Sequence, residues 1–259
     1  MARRKLPGLK ILLTGASSGI GRELAIQLVQ QGAYVLAVAR RKERLQQLAD
    51  ELQQPERFSY LVADVTKPED RARAIAECES RFGRLDVLIN NAGSGAIGPF
   101  ASADEARLRR IMEINFFAPV ELIRLALALL RRGNQPIIVN VSSILGHRGV
   151  PQKSEYCASK FALHGFSDAV RAELTAEKID VLLVSPGTTE TEFFAKVEGD
   201  ASKPHGRLGA RSPAYVARSA IRALCAGRHE VILTTGGRLL VWLDRLCPPL
   251  ADRLVAWWG

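Results

Sequence analysis

The sequence predicts a doubly wound α/β fold, a parallel sheet of about seven strands with helices on both faces, and three observations predict it. Apolar runs rich in Val, Ile and Leu recur along the chain, and stretches with helical spacing lie between most of them. A glycine turn, TGASSGIG at 14–21, stands where the first run hands over to the first helix. With 259 residues, 47% of them apolar, the chain can bury one sizeable core, and 1–259 reads as a single domain. Ligands of such sheets bind beyond the carboxyl ends of the strands, so the residues closing each run are site candidates.

Strands are expected at 10–14, 33–39, 58–63, 86–90, 136–141, 179–185 and 230–235. Helices are expected at roughly 20–31, 43–53, 69–82, 104–132, 155–178 and 213–226. After the first strand, Gly15, Gly19 and Gly21 strip Cβ atoms from a turn that opens a helix, whose free N–H groups suit a phosphate. The spacing is G-x-x-x-G-x-G rather than the common dinucleotide fingerprint, and a turn serving only tight packing stays open. The second strand ends in Ala39, followed by Arg40 and Arg41. Arginine there pairs with a 2′-phosphate where an acid would take ribose hydroxyls, which favours NADP(H) over NAD(H). The alternative is a pair of solvated charges opening a helix.

Asp64 closes the third strand and either meets an adenine amino group or caps the turn before Thr66. Asn90, Asn91 and Gly93 of NNAG suit a turn after the fourth. Asn115 sits among apolar residues of a long helix and needs partners for its amide; a satisfied core asparagine is the plain reading. The fifth strand delivers Ser142 and Ser143 to the sheet edge, and Tyr156 and Lys160 follow, four residues apart on one helical face. A lysine beside a phenol favours phenolate and brings its pKa down from about 10 toward the range of a working acid or base.

Other features bound the function. The net charge of +9 favours anionic partners in general, but the basic spots MARRK, ARRKER and RLRR are dispersed without interleaved aromatics, and no nucleic acid is expected. Four scattered cysteines and four scattered histidines give no disulfide and no metal assignment. No run approaches a spanning helix or a leader, so a cytoplasmic protein, peripheral to a membrane at most, is expected. Segment 188–212, weakly periodic, reads as a substrate lid carrying Phe193 and Phe194. The hydrophobic extension 236–259 puts Leu239, Leu240, Trp242, Leu243 and Leu246 on one helical face, followed by Leu250, Leu254, Val255, Trp257 and Trp258. It either covers the active-site mouth or a subunit interface, or touches a membrane surface.

Taken in order, TGASSGIG, NNAG, Asn115, VSS, YCASK and SPGTTET resemble the short-chain dehydrogenase/reductase family over residues 10 to about 235. The resemblance implies a Rossmann-type fold, a homodimer or homotetramer, and a small-molecule carbonyl or alcohol substrate. It implies that Tyr156 protonates the carbonyl oxygen or takes the proton back, that Ser143 positions that oxygen, and that Lys160 binds the nicotinamide ribose and lowers the tyrosine pKa. Asn115 helps hold a water linking Lys160 to solvent. By the same resemblance Gly15, Ser17, Gly19 and Ile20 line the pyrophosphate turn, Asp64, Val65, Asn91 and Gly93 contact the adenosine half, and Pro186, Gly187 and Thr191 face the nicotinamide. Substrate-pocket candidates are Ser94, Gly95, the residues 147–152 and the two lid phenylalanines, among which His147, Arg148 and nearby Lys153 alone suit a charged substrate. An NADPH-dependent carbonyl reductase, or the corresponding alcohol dehydrogenase run backwards, acting on a mainly apolar ketone or secondary alcohol is the reading. An NADP(H)-binding redox-responsive module and a 3-oxoacyl thioester reductase are its alternatives.

Overall fold

The computed structural model describes residues 3–190, 192, 197–199 and 210–258. Thr191, Phe193, Phe194 and the side chains of Trp257 and Trp258 lie outside what is described. In chain order the first half runs β1 (Lys10–Thr14), α1 (Gly19–Gln30), β2 (Tyr34–Ala39), α2 (Lys42–Leu52), β3 (Phe58–Val62), α3 (Pro68–Phe82), β4 (Val87–Asn90), β5 (Ala96–Ile97) and α4 (Glu105–Met112). The second half runs α5 (Ala118–Arg131), β6 (Ile137–Val141), α6 (Ser154–Glu173), β7 (Asp180–Ser185), β8 (Glu198–Gly199), α7 (Pro213–Ala226), β9 (Glu230–Ile232), α8 (Thr235–Leu246) and α9 (Pro248–Trp258).

Seven strands form one parallel sheet in the order β3-β2-β1-β4-β6-β7-β9. The period of two along each strand divides the core. Ile11 and Leu13 of β1, Val35 and Ala37 of β2 and Val139 of β6 pack with Leu24 and Leu28 of α1, Leu45 and Leu48 of α2 and Ile221 of α7. Leu12, Leu36 and Ile138 face the other way, onto Ala74 and Cys78 of α3, Leu122 and Ala126 of α5 and the partly buried Phe166 of α6. Both faces are therefore covered, which is why the strands read as continuous apolar runs. Winding reverses between β1 and β4, and the crevice opens at their carboxyl ends.

The expected helix over 104–132 is interrupted. Residues 113–117 form a π-helical turn in which the Ala118 amide donates to the Glu113 carbonyl. Pro119, lacking an N–H, cannot give the Asn115 carbonyl its α-helical partner. α6 stops at Glu173, five residues short of the expected end, and Lys178 takes a left-handed φ of 57° before β7. β5 and β8 pair with each other outside the main sheet, too short to register as a periodic pattern. One member of the first basic spot is not open to solvent: Arg4 is buried, donates to the carbonyls of Gln135, Pro136 and Leu224, and pairs with Asp180.

Candidate active site

The glycine turn lies at the β1–β4 end of the crevice. Gly15 and Gly19 adopt φ of 70° and 55°, left-handed values that favour glycine. A Cβ on Gly15 would come within 2.8 Å of the Ala92 backbone, and one on Gly21 would collide with the Gly15 carbonyl and the Asn91 amide. Asn91 makes this close approach possible: its Nδ2 donates to the carbonyls of Thr14 (3.0 Å) and Gly15 (3.2 Å). Thr14 Oγ1 in turn accepts from the amides of Asn91 and Ala92 at 3.0 and 3.1 Å. Asn91 thus shapes the turn through its side chain. Helix α1 starts there with no acidic residue in its first turn and no side-chain cap on its leading amides, which suits a phosphate group.

Arg41 bends back over the turn, giving hydrogen bonds to Ser17 Oγ (3.0 and 3.2 Å) and Ser18 Oγ (2.6 Å), and pairs with Glu192 at 2.9 Å. Arg40 instead lies 3.6 Å from Asp64 and is well exposed. The two arginines are therefore not equivalent. Asp64 caps its turn, accepting from the Thr66 amide (3.1 Å) and hydroxyl (2.8 Å). Burial would raise its carboxyl, but the Thr66 hydrogen bonds and the Arg40 charge outweigh it and hold the pKa below the usual value. Val65 is mainly a core residue, and Ile20 packs at the edge of the other core cluster.

At the β4–β6 end, β6 delivers Ser143, and α6 carries Tyr156 and Lys160. Ser143 Oγ accepts from the Leu145 amide (3.1 Å), capping a short 3-10 turn over Ile144–Gly146, and a hydrogen bond joins Ser143 to the Tyr156 phenol. Lys160 is 5% exposed; its Nζ donates to the Val141 carbonyl (3.1 Å) and lies 5.7 Å from the Tyr156 ring centroid. Desolvation lowers Lys160 to about 8. The expected lowering of the phenol is not found: burial pushes Tyr156 up to about 12, with the Ser143 hydrogen bond pulling the other way.

Asn115 is held from both sides of its amide. Its Nδ2 donates to the Ser94 carbonyl (2.8 Å) and Ser159 Oγ (3.0 Å), and its Oδ1 accepts from the Ser94 amide (3.0 Å). The Asn115 backbone carbonyl, which Pro119 leaves without its α-helical donor, is a further group able to accept from a water. Gly93 borders the same corner: a Cβ there would sit 2.9 Å from Asn115 Oδ1 and 3.7 Å from Lys160 Nζ. Pro186 accepts from the Ile144 amide (3.0 Å), and a Cβ on Gly187 would meet Thr234, so this corner also borders the Ser143 turn.

Several supporting residues gave no signal in the sequence. Arg107 of α4 and Glu155, immediately before Tyr156, form a buried ion pair with contacts of 2.6 and 2.9 Å. Asn90, Asn140 and Ser167 form a buried chain of amide and hydroxyl bonds linking β4, β6 and α6. The histidines are not all scattered: His147 Nε2 lies 2.7 Å from Glu230 Oε1, and the His147 and His164 rings cross at 84° with centroids 4.3 Å apart. His147 is thus turned away from a role in meeting a charged substrate, and Arg148 is engaged by Asp244 (2.6 Å) and Asp252. These two pairs also tie α8 and α9 to the turn after Ser143.

Of the expected lid, the described parts are docked at three places: a bridge between Thr189 and Arg211, Glu192 on Arg41 and Arg44, and β8 on β5. No described helix is long and apolar enough to cross a membrane. The C-terminal face is open: Leu239, Trp242, Leu246, Leu250 and Leu254 are exposed along α8 and α9.

Residues 10–202 match the family model described as short chain dehydrogenase. The chain is 36% identical over 255 residues to an 11-beta-hydroxysteroid dehydrogenase-like protein 4A of Arabidopsis thaliana, covering 95% of this chain and 83% of that one. It is 35% identical over 260 residues to dehydrogenase/reductase SDR family member 7B of Bos taurus, covering 95% and 80%. A crystal structure of a short-chain dehydrogenase from Streptomyces avermitilis superposes with a TM-score of 0.81 at 30% identity, covering 95% of each chain.

Proposed function

Because the chain belongs to the short-chain dehydrogenase/reductase family, and so is an NAD(P)-dependent oxidoreductase acting on CH–OH or carbonyl groups, we propose that it is an NADPH-dependent reductase of a mainly apolar ketone. The observation that carries this reading is the Ser143–Tyr156 hydrogen bond next to the buried Lys160. A nicotinamide held beside Ser143 and Lys160 would supply the hydride. The chain's own part is to hold a proton at the Tyr156 oxygen and release it to the substrate oxygen as charge develops there, with Ser143 donating to the same oxygen. A phenol held neutral by burial is the form a reductase needs before the step. Lys160, charged below about pH 8, stabilises the phenolate left behind and is poised to bind ribose hydroxyls. The Asn115 carbonyl is the group to hold a water that returns the proton from solvent.

The NADPH preference is supported by Arg41, whose guanidinium is fixed over the pyrophosphate turn by two serine hydroxyls. Glu192 occupies that guanidinium and would have to yield to a 2′-phosphate. An apolar substrate is supported by the engagement of His147 and Arg148 with carboxylates, which leaves few cations to meet a charged one. Exposed Phe117, Leu125 and Phe161 favour a homo-oligomer formed through α5 and α6. The exposed face of α8 and α9, with Arg238, Arg245 and Arg253 nearby in sequence, favours a peripheral membrane contact, the second reading for the extension.

The test is NADPH oxidation against apolar ketones, retinoid and steroid carbonyls and 3-oxoacyl thioesters, with Tyr156→Phe in parallel. Turnover should fall by about 10²–10⁴-fold in the variant while NADPH binding persists. Turnover surviving the substitution would remove Tyr156 from the mechanism. Thioesters as the sole substrates would replace the ketone reading, and tight NADPH binding without turnover across the panel would favour the binding-module alternative.

A further inference from the structure

A second polar cluster lies behind the Ser143 turn. His147 follows that turn, His164 is on α6 and Glu230 opens β9, and one ligand atom from each lies within 4.8 Å of the other two. All three residues are partly buried, with side-chain exposures of 3% for His147, 15% for His164 and 30% for Glu230. None of them takes part in the proton transfer proposed for Tyr156.

We propose that His147, His164 and Glu230 form a binding site for a divalent transition metal of the zinc class. Two imidazoles and one carboxylate are a donor set that zinc takes, and zinc binds them at about 2.0–2.2 Å, which puts tetrahedral ligand atoms roughly 3.4 Å apart. The cluster closes onto such an ion by small side-chain rotations. The short His147–Glu230 contact opens as the metal takes the place of the shared hydrogen, and His164 moves inward.

Three surrounding features suit this assignment. One ring N–H of His164 donates to the Gly146 carbonyl, the kind of outer contact that orients a metal-binding imidazole and leaves the other nitrogen for the ion. Ser185 Oγ lies 3.2 Å from Glu230 Oε1 and 3.4 Å from His147 Nε2, steadying both. A cavity of about 310 Å³ lined by His147, His164, Asp168 and Asp244 reaches the cluster, giving an entry path and room for water as the remaining ligand.

The experiment uses the full chain without a histidine tag, stripped with EDTA and titrated with Zn²⁺ by calorimetry and with Co²⁺ by visible absorption. One equivalent per chain should bind with a dissociation constant of about 10 μM or tighter, and Co²⁺ should show the intense visible bands of a low-coordinate site. His164→Gln and Glu230→Gln should each weaken binding by about 100-fold, whereas His229→Gln, at an exposed histidine outside the cluster, should not change it. Zn²⁺ should also raise the Tm of the parent chain and not that of the His164 variant, and circular dichroism and NADPH binding check that each variant is folded. Absence of saturable binding up to about 1 mM, or equal binding by either folded cluster variant and the parent, would overturn the site.

Discussion

At the β1–β4 end of the crevice the chain presents backbone: glycines at positive φ, uncapped helix amides, and one arginine lying over them. At the β4–β6 end it presents side chains, the buried Ser143, Lys160 and Asn115 and the half-buried Tyr156, with Asn115 and Lys160 held by groups 21 and 19 residues away. The first end is largely backbone, tolerates exposure, and is braced by Asn91 and Arg41. The second is made by three elements converging, and it carries the cost of a lysine charge out of water. A phosphate can be met by exposed backbone amides, whereas a proton donor has to be built by packing side chains.

Removing a distant support should hurt the second end most. Glu155→Ala leaves Arg107 buried without its partner beside Tyr156, and should lower the unfolding free energy by about 3–5 kcal/mol in urea denaturation. A loss under about 1 kcal/mol would mean that the α4–α6 contact does not hold the catalytic helix. Ser143→Ala should reduce kcat by about 10²–10³-fold with a smaller effect on NADPH affinity. An equal effect on both would erase the division of labour between the two ends.

The first end is tested through its arginines. Arg41→Ala should raise the KM for NADPH by about 10–100-fold and leave NADH nearly unaffected, the size of a lost charge-assisted contact. Arg40→Asp should act less, since Arg40 is exposed and faces Asp64. The reverse order would move the 2′-phosphate contact from Arg41 to Arg40.

The smallest effect concerns pH. Lys160 is lowered from 10.5 to about 8 on folding, so between those values the unfolded chain binds more protons and stability rises with pH. Burying the charge is a cost present in full below about pH 8 and relieved above 10.5. Lys160→Met should therefore stabilise the fold at pH 7 by on the order of 1–2 kcal/mol, part of the gain being offset by the orphaned Val141 carbonyl. The Tm difference should shrink as pH rises; a Tm difference independent of pH would show that Lys160 is not carrying this cost. In the parent enzyme, reduction should decline as pH rises through about 8.

The sequence by itself determined the sheet, its parallel winding, the glycine turn and the identities at 115, 143, 156 and 160. Apolar periodicity and a strand-to-helix glycine turn are local properties that survive without neighbours. It could not decide how the two arginines divide, since Arg41 is fixed by hydroxyls 23 and 24 residues away. Nor could it foresee a π turn at Asn115, the direction of the Tyr156 shift, or three residues from 147, 164 and 230 meeting at one point. Those outcomes depend on burial and on groups brought together from distant positions, and only the folded chain sets the solvent exclusion and the distances on which they rest.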